Sequence, residues 1–267
     1  MDKIDFRLLN SVLEKIDRYL DKEIDVDFSE TNAFLFFRQK LTPVKNFSKV
    51  NPDLLIGIDY QRDKLIKNTA KFIDGKPANH AVLWGERGTG KSSLVKSMLY
   101  IFGDKLKMIQ VLKEDILNIF KLLPIIYKEK NLRFIIFIDD LSFESEEQDY
   151  KEFKTIIDGG LFDIPENLLF YVTSNKKNLI PVKFSDRDNY TRAADIIDEK
   201  LSLIDRFGLK LGFFKFDKKT YLKIVDKYAD IYRIKLEKEK LYELALEYTS
   251  EAGSMNGRTA LNFIKSL

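Results

Sequence analysis

The chain has 267 residues, enough for one large domain and a small one, and 45% hydrophobic residues suffice to build a core. Charged residues make up 33%, but 45 basic against 42 acidic leaves only +3, with the signs interspersed, which is not the balance of a dedicated nucleic-acid binder. The absence of cysteine excludes disulfides and thiolate metal sites, and a single histidine, His80, argues against a histidine zinc site or a Ser-His-Asp triad.

Met1-Asp2-Lys3-Ile4-Asp5 lacks a secretory pattern, and no stretch nears the ~18 apolar residues of a membrane span, so the expectation is a cytoplasmic protein with no membrane partner. From Ile4 to Leu20 apolar residues recur at spacings of three and four, predicting an amphipathic helix. Phe34-Leu35-Phe36-Phe37 reads as a second helix ending before Pro43, its aromatic cluster serving either core packing or a partner. Residues 1–50 are therefore expected to form an N-terminal helical annex too small to bury a core alone.

A helix carrying Leu65, Ile66, Ala70, Phe72 and Ile73 and a turn at Asp74-Gly75-Lys76-Pro77 lead to the strand Ala81-Val82-Leu83-Trp84, with His80 in a capping or packing role just before it. Gly85-Glu86-Arg87-Gly88-Thr89-Gly90-Lys91-Ser92 then fits G-x-x-x-x-G-K-[ST], and Ser93 to Tyr100 has helical spacing. Strand, glycine loop and helix are the setting of a phosphate-binding P-loop: glycines let the backbone curl with its N–H groups inward, where the helix N-terminus joins them. In that reading Lys91 reaches the β and γ phosphates, and the Ser92 hydroxyl joins the Mg²⁺ shell.

Beyond Gly103 the pattern predicts a strand at 108–112, a helix at 115–129 interrupted or kinked at Pro124, and a strand at 134–138, the alternation of a parallel sheet covered on both faces. The last of these strands runs into Asp139-Asp140. Asp139 is assigned to the Mg²⁺ shell, directly or through water, and Asp140 to the attacking water. A polar helix at 146–157 precedes a strand at 168–172 that ends in Thr173-Ser174-Asn175, whose amide would orient the water or sense the γ phosphate. Residues 176–195 exceed an ordinary connection and mix Lys176, Lys177, Lys183, Arg187 and Arg192 with aspartates, Phe184 and Tyr190, which fits either a partner contact, nucleic acid included, or a solvated loop. Two amphipathic stretches, around Tyr221 to Tyr228 and Leu241 to Tyr248, and a short helix opened by Arg258 complete the chain.

Taken together, these motifs resemble the AAA+ ATPases, and more closely a bacterial branch described only as a domain of unknown function. The likeness rests on Ser92-Ser93-Leu94-Val95-Lys96 after the P-loop, Asp139-Asp140-Leu141-Ser142-Phe143, Thr173-Ser174-Asn175, Glu199 to Ser202 with Asp205 to Leu209, and Gly257-Arg258. It runs from about Leu54 to the C-terminus. It implies an α/β nucleotide-binding module at 51–214 with a five-stranded parallel sheet, and a C-terminal helical lid at 215–267. It also implies that Gly57 and Ile58 line an adenine pocket, that Gly85 to Ser93 hold the phosphates of ATP, and that Asn175 is a first sensor. Arg206 resembles an arginine finger acting on a neighbouring subunit, the alternative being a surface arginine at a helix end, and Arg258 resembles a second sensor on the lid. Most AAA+ ATPases carry Glu where Asp140 stands, although the closer branch shares the Asp pair. The shorter side chain reaches the water less well, so slow turnover is one expectation, with Glu144 as a possible assistant. The functional expectation is a homo-oligomeric Mg-ATPase that remodels or loads a protein or nucleic-acid client, with a slow nucleotide-gated switch as the alternative.

Overall fold

The computed structural model describes residues 24, 26–143, 149–159, 163–176 and 202–267. The expected helix at 4–20, Glu144 and nearly all of the loop at 176–195 lie outside them. Along the described chain come β1 (Ala33–Phe37), β2 (Lys40–Pro43), α1 (Asp59–Ile73), β3 (Ala81–Gly85), α2 (Lys91–Phe102), β4 (Leu106–Val111), α3 (Leu123–Lys128), β5 (Arg133–Ile138), α4 (Asp149–Asp158), β6 (Leu168–Ser174), β7 (Leu209–Phe213), α5 (Lys218–Tyr232), α6 (Lys238–Ala252) and α7 (Gly257–Ser266).

Alternation along fully buried strands sets the two faces of the sheet. In β5, Phe134, Ile136 and Ile138 enter one core with Ile109, Phe170 and Val172, while Ile135 and Phe137 enter the other with Leu83, Met108 and Tyr171. The first face is covered by 3₁₀ turns at Lys113–Lys121, by α3, and by α4 through Phe153 and Ile157. The second is covered by α1 through Leu65 and Phe72 and by α2 through Leu94, Val95 and Met98. Pro124 opens α3, where its missing N–H is not needed, so the break expected at the proline falls at Leu122 and the proline starts a helix rather than kinking one.

The strand order is β2-β1-β4-β5-β6-β3-β7, parallel except for β2. Two expectations change here. Phe34–Phe37 is a strand, not a helix, and the sheet has seven strands among the described residues, not five. The reason is edge protection: β1 pairs in parallel with β4 and buries Phe34 and Phe36 in the first core, where Phe28 meets Phe34 and Phe134 edge-on. Residues 33–43 thus extend the sheet instead of belonging to a helical annex.

A third core joins α5, α6 and α7 through Tyr221, Val225, Ala245, Ala260 and Phe263. Side-chain caps fix the starts of α5 and α7: Asp217 accepts from the Thr220 N–H at 2.7 Å, and Asn256 from the Thr259 N–H at 2.9 Å. Gly253 ends α6 in the left-handed conformation.

Candidate nucleotide site

The loop between β3 and α2 is pinned at both ends. Glu86 N–H donates to the Phe213 carbonyl at 3.0 Å, extending the β3–β7 pairing. A Cβ on Gly85 would stand 1.9 Å from that same carbonyl oxygen, and Gly85 has φ 130°, so glycine alone fits there. Thr89 Oγ1 donates to the Glu86 carbonyl at 2.7 Å. Gly90 caps α2 without any side-chain acceptor, leaving first-turn N–H groups for an anion. Residues Gly88 to Ser93 line a cavity of about 620 Å³ at the C-terminal end of the sheet.

Lys91 is buried at the base of this loop. Its Nζ donates to the carbonyls of Gly85 at 2.8 Å and Glu86 at 2.7 Å, and to Asn175 Oδ1 at 3.2 Å. Desolvation lowers its pKa, against the opposing pull of Asp140, Asp139 and Glu86. Ser92 Oγ donates to Asp139 Oδ1 at 2.5 Å, and Thr173 Oγ1 donates to the same oxygen at 2.6 Å. Asn175 Nδ2 donates to Asp140 Oδ1, so one amide joins the lysine to the second aspartate. Asp140 itself has φ 55°, in the left-handed region.

This donor set fits Mg²⁺. With its proton on Asp139, the Ser92 oxygen keeps a lone pair for the ion, and Asp139 Oδ2 accepts no hydrogen bond from a described residue. Among the described residues no cluster of three His, Cys, Asp or Glu exists, so the shell would be completed by phosphate and water, as suits Mg²⁺.

The opposite wall is apolar. Leu54, Leu55 and Ile56 face Phe216, Ile224 and Tyr228 from the lid. Gly57 and Ile58, expected to line this pocket, stand behind it. The chain turns at Gly57 against Thr220 and Phe216, and the Ile58 side chain goes into the second core at 3% exposure. Gly85 and Glu86 also lie beneath the lining, where their carbonyls hold Lys91. Arg87 and Arg258 line the cavity. Arg206 does not: its Nε pairs with Asp158 Oδ1 at 2.5 Å, and the side chain is 40% exposed. Sequence reading assigned no role to Thr173, Phe216 or Tyr228. Thr173 carried a signal, as a hydroxyl residue closing a buried strand beside Asn175, whereas the two aromatics looked like ordinary lid packing.

A P-loop after β3 of a mostly parallel sheet, paired carboxylates at the end of β5 with β6 between the two strands, and a three-helix lid define an AAA+ P-loop fold. Residues 29–267 match the family described as "Protein of unknown function (DUF815)", and the chain belongs to that family. No curated protein matches it in sequence. Among solved structures it is similar to Aeropyrum pernix ORC2, with a TM-score of 0.52 and 12% identity over 83% of this chain and 70% of that one. A chain of an E. coli HORMA:CdnC:Trip13 complex gives a TM-score of 0.51 and 11% identity over 80% and 90%. A Thermotoga maritima RuvB mutant gives 0.48 and 15% over 81% and 72%. Among the described residues no helix is long and apolar enough to cross a membrane.

Proposed function

We propose that the chain binds Mg-ATP in this cavity and hydrolyses it to ADP and phosphate within a homo-oligomer, in order to remodel or load a protein or nucleic-acid partner. The observation that carries the reading is the Ser92–Asp139 hydrogen bond of 2.5 Å beside a buried Lys91 on a glycine loop. ADPNP and ADP, named for the Aeropyrum pernix ORC2 structure, support adenine as the base.

Each residue then has a defined task. The N–H groups of the loop and the α2 N-terminus hold the phosphates, and the Lys91 ammonium neutralises their charge. Ser92 and Asp139 would hold Mg²⁺, which would supply charge neutralisation for the phosphates. Asp140 orients the attacking water, and Asn175, bonded to both Asp140 and Lys91, senses whether the γ phosphate is present. Arg87 and Arg258 reach the phosphates from loop and lid. Arg206 completes the site of a neighbouring subunit, which makes hydrolysis depend on assembly.

One observation favours a second reading, a slow switch whose partner affinity follows the bound nucleotide. The Asp140 carboxylate is engaged by Asn175, and its backbone is left-handed, so the short side chain is committed before any water arrives. A partner that binds the ATP and ADP states with equal affinity would eliminate this reading. The test of the main proposal is ATP hydrolysis per subunit over a range of protein concentrations. A rate that climbs with concentration supports sites completed between subunits, and a background rate despite ATP binding favours the switch.

A further inference from the structure

β5 leaves its ladder with β6 just after Ile138, which pairs with Val172. Three residues after Ile138 the Leu141 N–H rejoins β6 by donating to the Thr173 carbonyl at 2.8 Å. Asp139 and Asp140 therefore occupy a bulge, and the left-handed φ of 55° at Asp140 is what lets the chain return. A bulge strands a backbone donor, here the Asp140 N–H, which the Thr173 hydroxyl oxygen accepts at 2.8 Å. The single proton of that hydroxyl goes the other way, to Asp139 Oδ1 at 2.6 Å. Thr173 is 2% exposed, and removing its hydroxyl would leave the Asp140 N–H without this acceptor and Asp139 Oδ1 without this donor.

We infer that Thr173 is a positioning residue whose hydroxyl sets both carboxylates at once, turning Asp139 toward the metal and fixing the backbone that aims Asp140. The inference rests on the Mg-ATP reading of the site. Its oxygen must sit on a Cβ at this register, and only serine or threonine supplies a group that accepts from an amide while donating to a carboxylate. Holding Oδ1 with Ser92 and Thr173 leaves Oδ2 as the oxygen available to the ion or its water. Groups that orient a metal ligand in this way change metal affinity or activity by about 10- to 100-fold when lost.

The test compares wild type, Thr173→Val and Thr173→Ser. Valine keeps the shape and the β-branch but has no hydroxyl, and serine keeps the hydroxyl and loses the methyl. Two readouts are taken: binding of a fluorescent ATP analogue in excess EDTA, and the Mg²⁺ concentration giving half-maximal ATP hydrolysis together with the limiting rate. For Thr173→Val we expect analogue binding in EDTA within about threefold of wild type, a half-maximal Mg²⁺ concentration raised by about tenfold or more, and a limiting rate lowered by about 10- to 100-fold. Thr173→Ser should restore both Mg²⁺-dependent quantities to within about threefold. A valine variant with the wild-type Mg²⁺ response overturns the inference, as does a serine variant as impaired as valine or a valine variant that fails to bind nucleotide in EDTA. A wild-type chain that shows no Mg²⁺-dependent hydrolysis or binding overturns the reading of the site itself.

Discussion

Gly257 donates its backbone N–H to the carbonyl of Gly88 at 2.9 Å, so the first residue of lid helix α7 is hydrogen-bonded to the phosphate loop. The contact is tight from both sides. A Cβ on Gly88 would stand 2.4 Å from Asn256 Oδ1, and one on Gly257 would stand 3.2 Å from the Gly88 oxygen. Gly88→Ala must displace the α7 cap while holding φ at +73°, a strain of about 1–3 kcal/mol. The expected outcome is nucleotide affinity weakened by about tenfold or more, read by calorimetry, with lid and loop uncoupled. Unchanged affinity would show that the lid does not hold the loop.

Asp140→Asn preserves size and the partnership with Asn175 but removes the carboxylate charge. If Asp140 directs the water, hydrolysis falls by about 100-fold or more while ATP affinity stays within about threefold, as phosphate release and equilibrium binding will show. Full hydrolytic activity would refute the assignment of the base.

The Arg206–Asp158 pair is substantially exposed and contributes about 0–1 kcal/mol, so little restrains Arg206 from reaching an adjacent subunit. Arg206→Ala is expected to lose about 1000-fold in the rate at high protein concentration. Mixing it with Asp140→Asn should recover part of the activity, because interfaces at which an Asp140→Asn subunit presents its arginine to the site of an Arg206→Ala subunit have both groups intact. Failure of the mixture to exceed either variant alone would argue against a contribution in trans.

Burial pushes the pKa of His80 down to about 4, and its Nδ1 accepts from the Phe170 N–H at 3.1 Å, which a protonated ring nitrogen cannot do. The unfolded chain takes up a proton near pH 6.5 and the folded chain only near 4, so stability from this group is complete above the higher value and falls as the pH drops between them. The loss amounts to about 3 kcal/mol. In urea titrations the stability advantage of wild type over His80→Gln should therefore shrink as the pH is lowered from 7 to 4. A difference independent of pH would contradict the assignment.

The glycine loop, the paired aspartates and Asn175, which the structure brings together, were legible in sequence because the motif demands particular residues at fixed local spacing. The β1–β2 hairpin was not. Phe34 to Phe37 is a short apolar run whose periodicity suits helix or strand, and Arg38 and Gln39 turn with φ 49° and 58° without any Gly, Asn or Asp to announce it. What holds that turn is distant in sequence: the buried Asp115 carboxylate accepts from the backbone N–H groups of both residues, at 2.5 and 3.2 Å. Thr173 showed in sequence only as a hydroxyl residue near the end of a buried strand; its two bonds depend on a bulge between β5 and β6. Gly57 and Ile58 stand behind the apolar cavity wall of Leu54 to Ile56, since the chain turns at Gly57 against Thr220 and Phe216, a contact that no local pattern announces.

In the proposed function, Lys91 and its loop hold a nucleotide. Calorimetric titration of ATP with Mg²⁺ into wild type and Lys91→Ala tests it most directly. One nucleotide bound per chain is expected in wild type, with affinity lowered by about 100-fold or more in the variant, since the substitution removes the buried ammonium at the base of the loop. Absence of binding in wild type, or equal affinity in both, would contradict it.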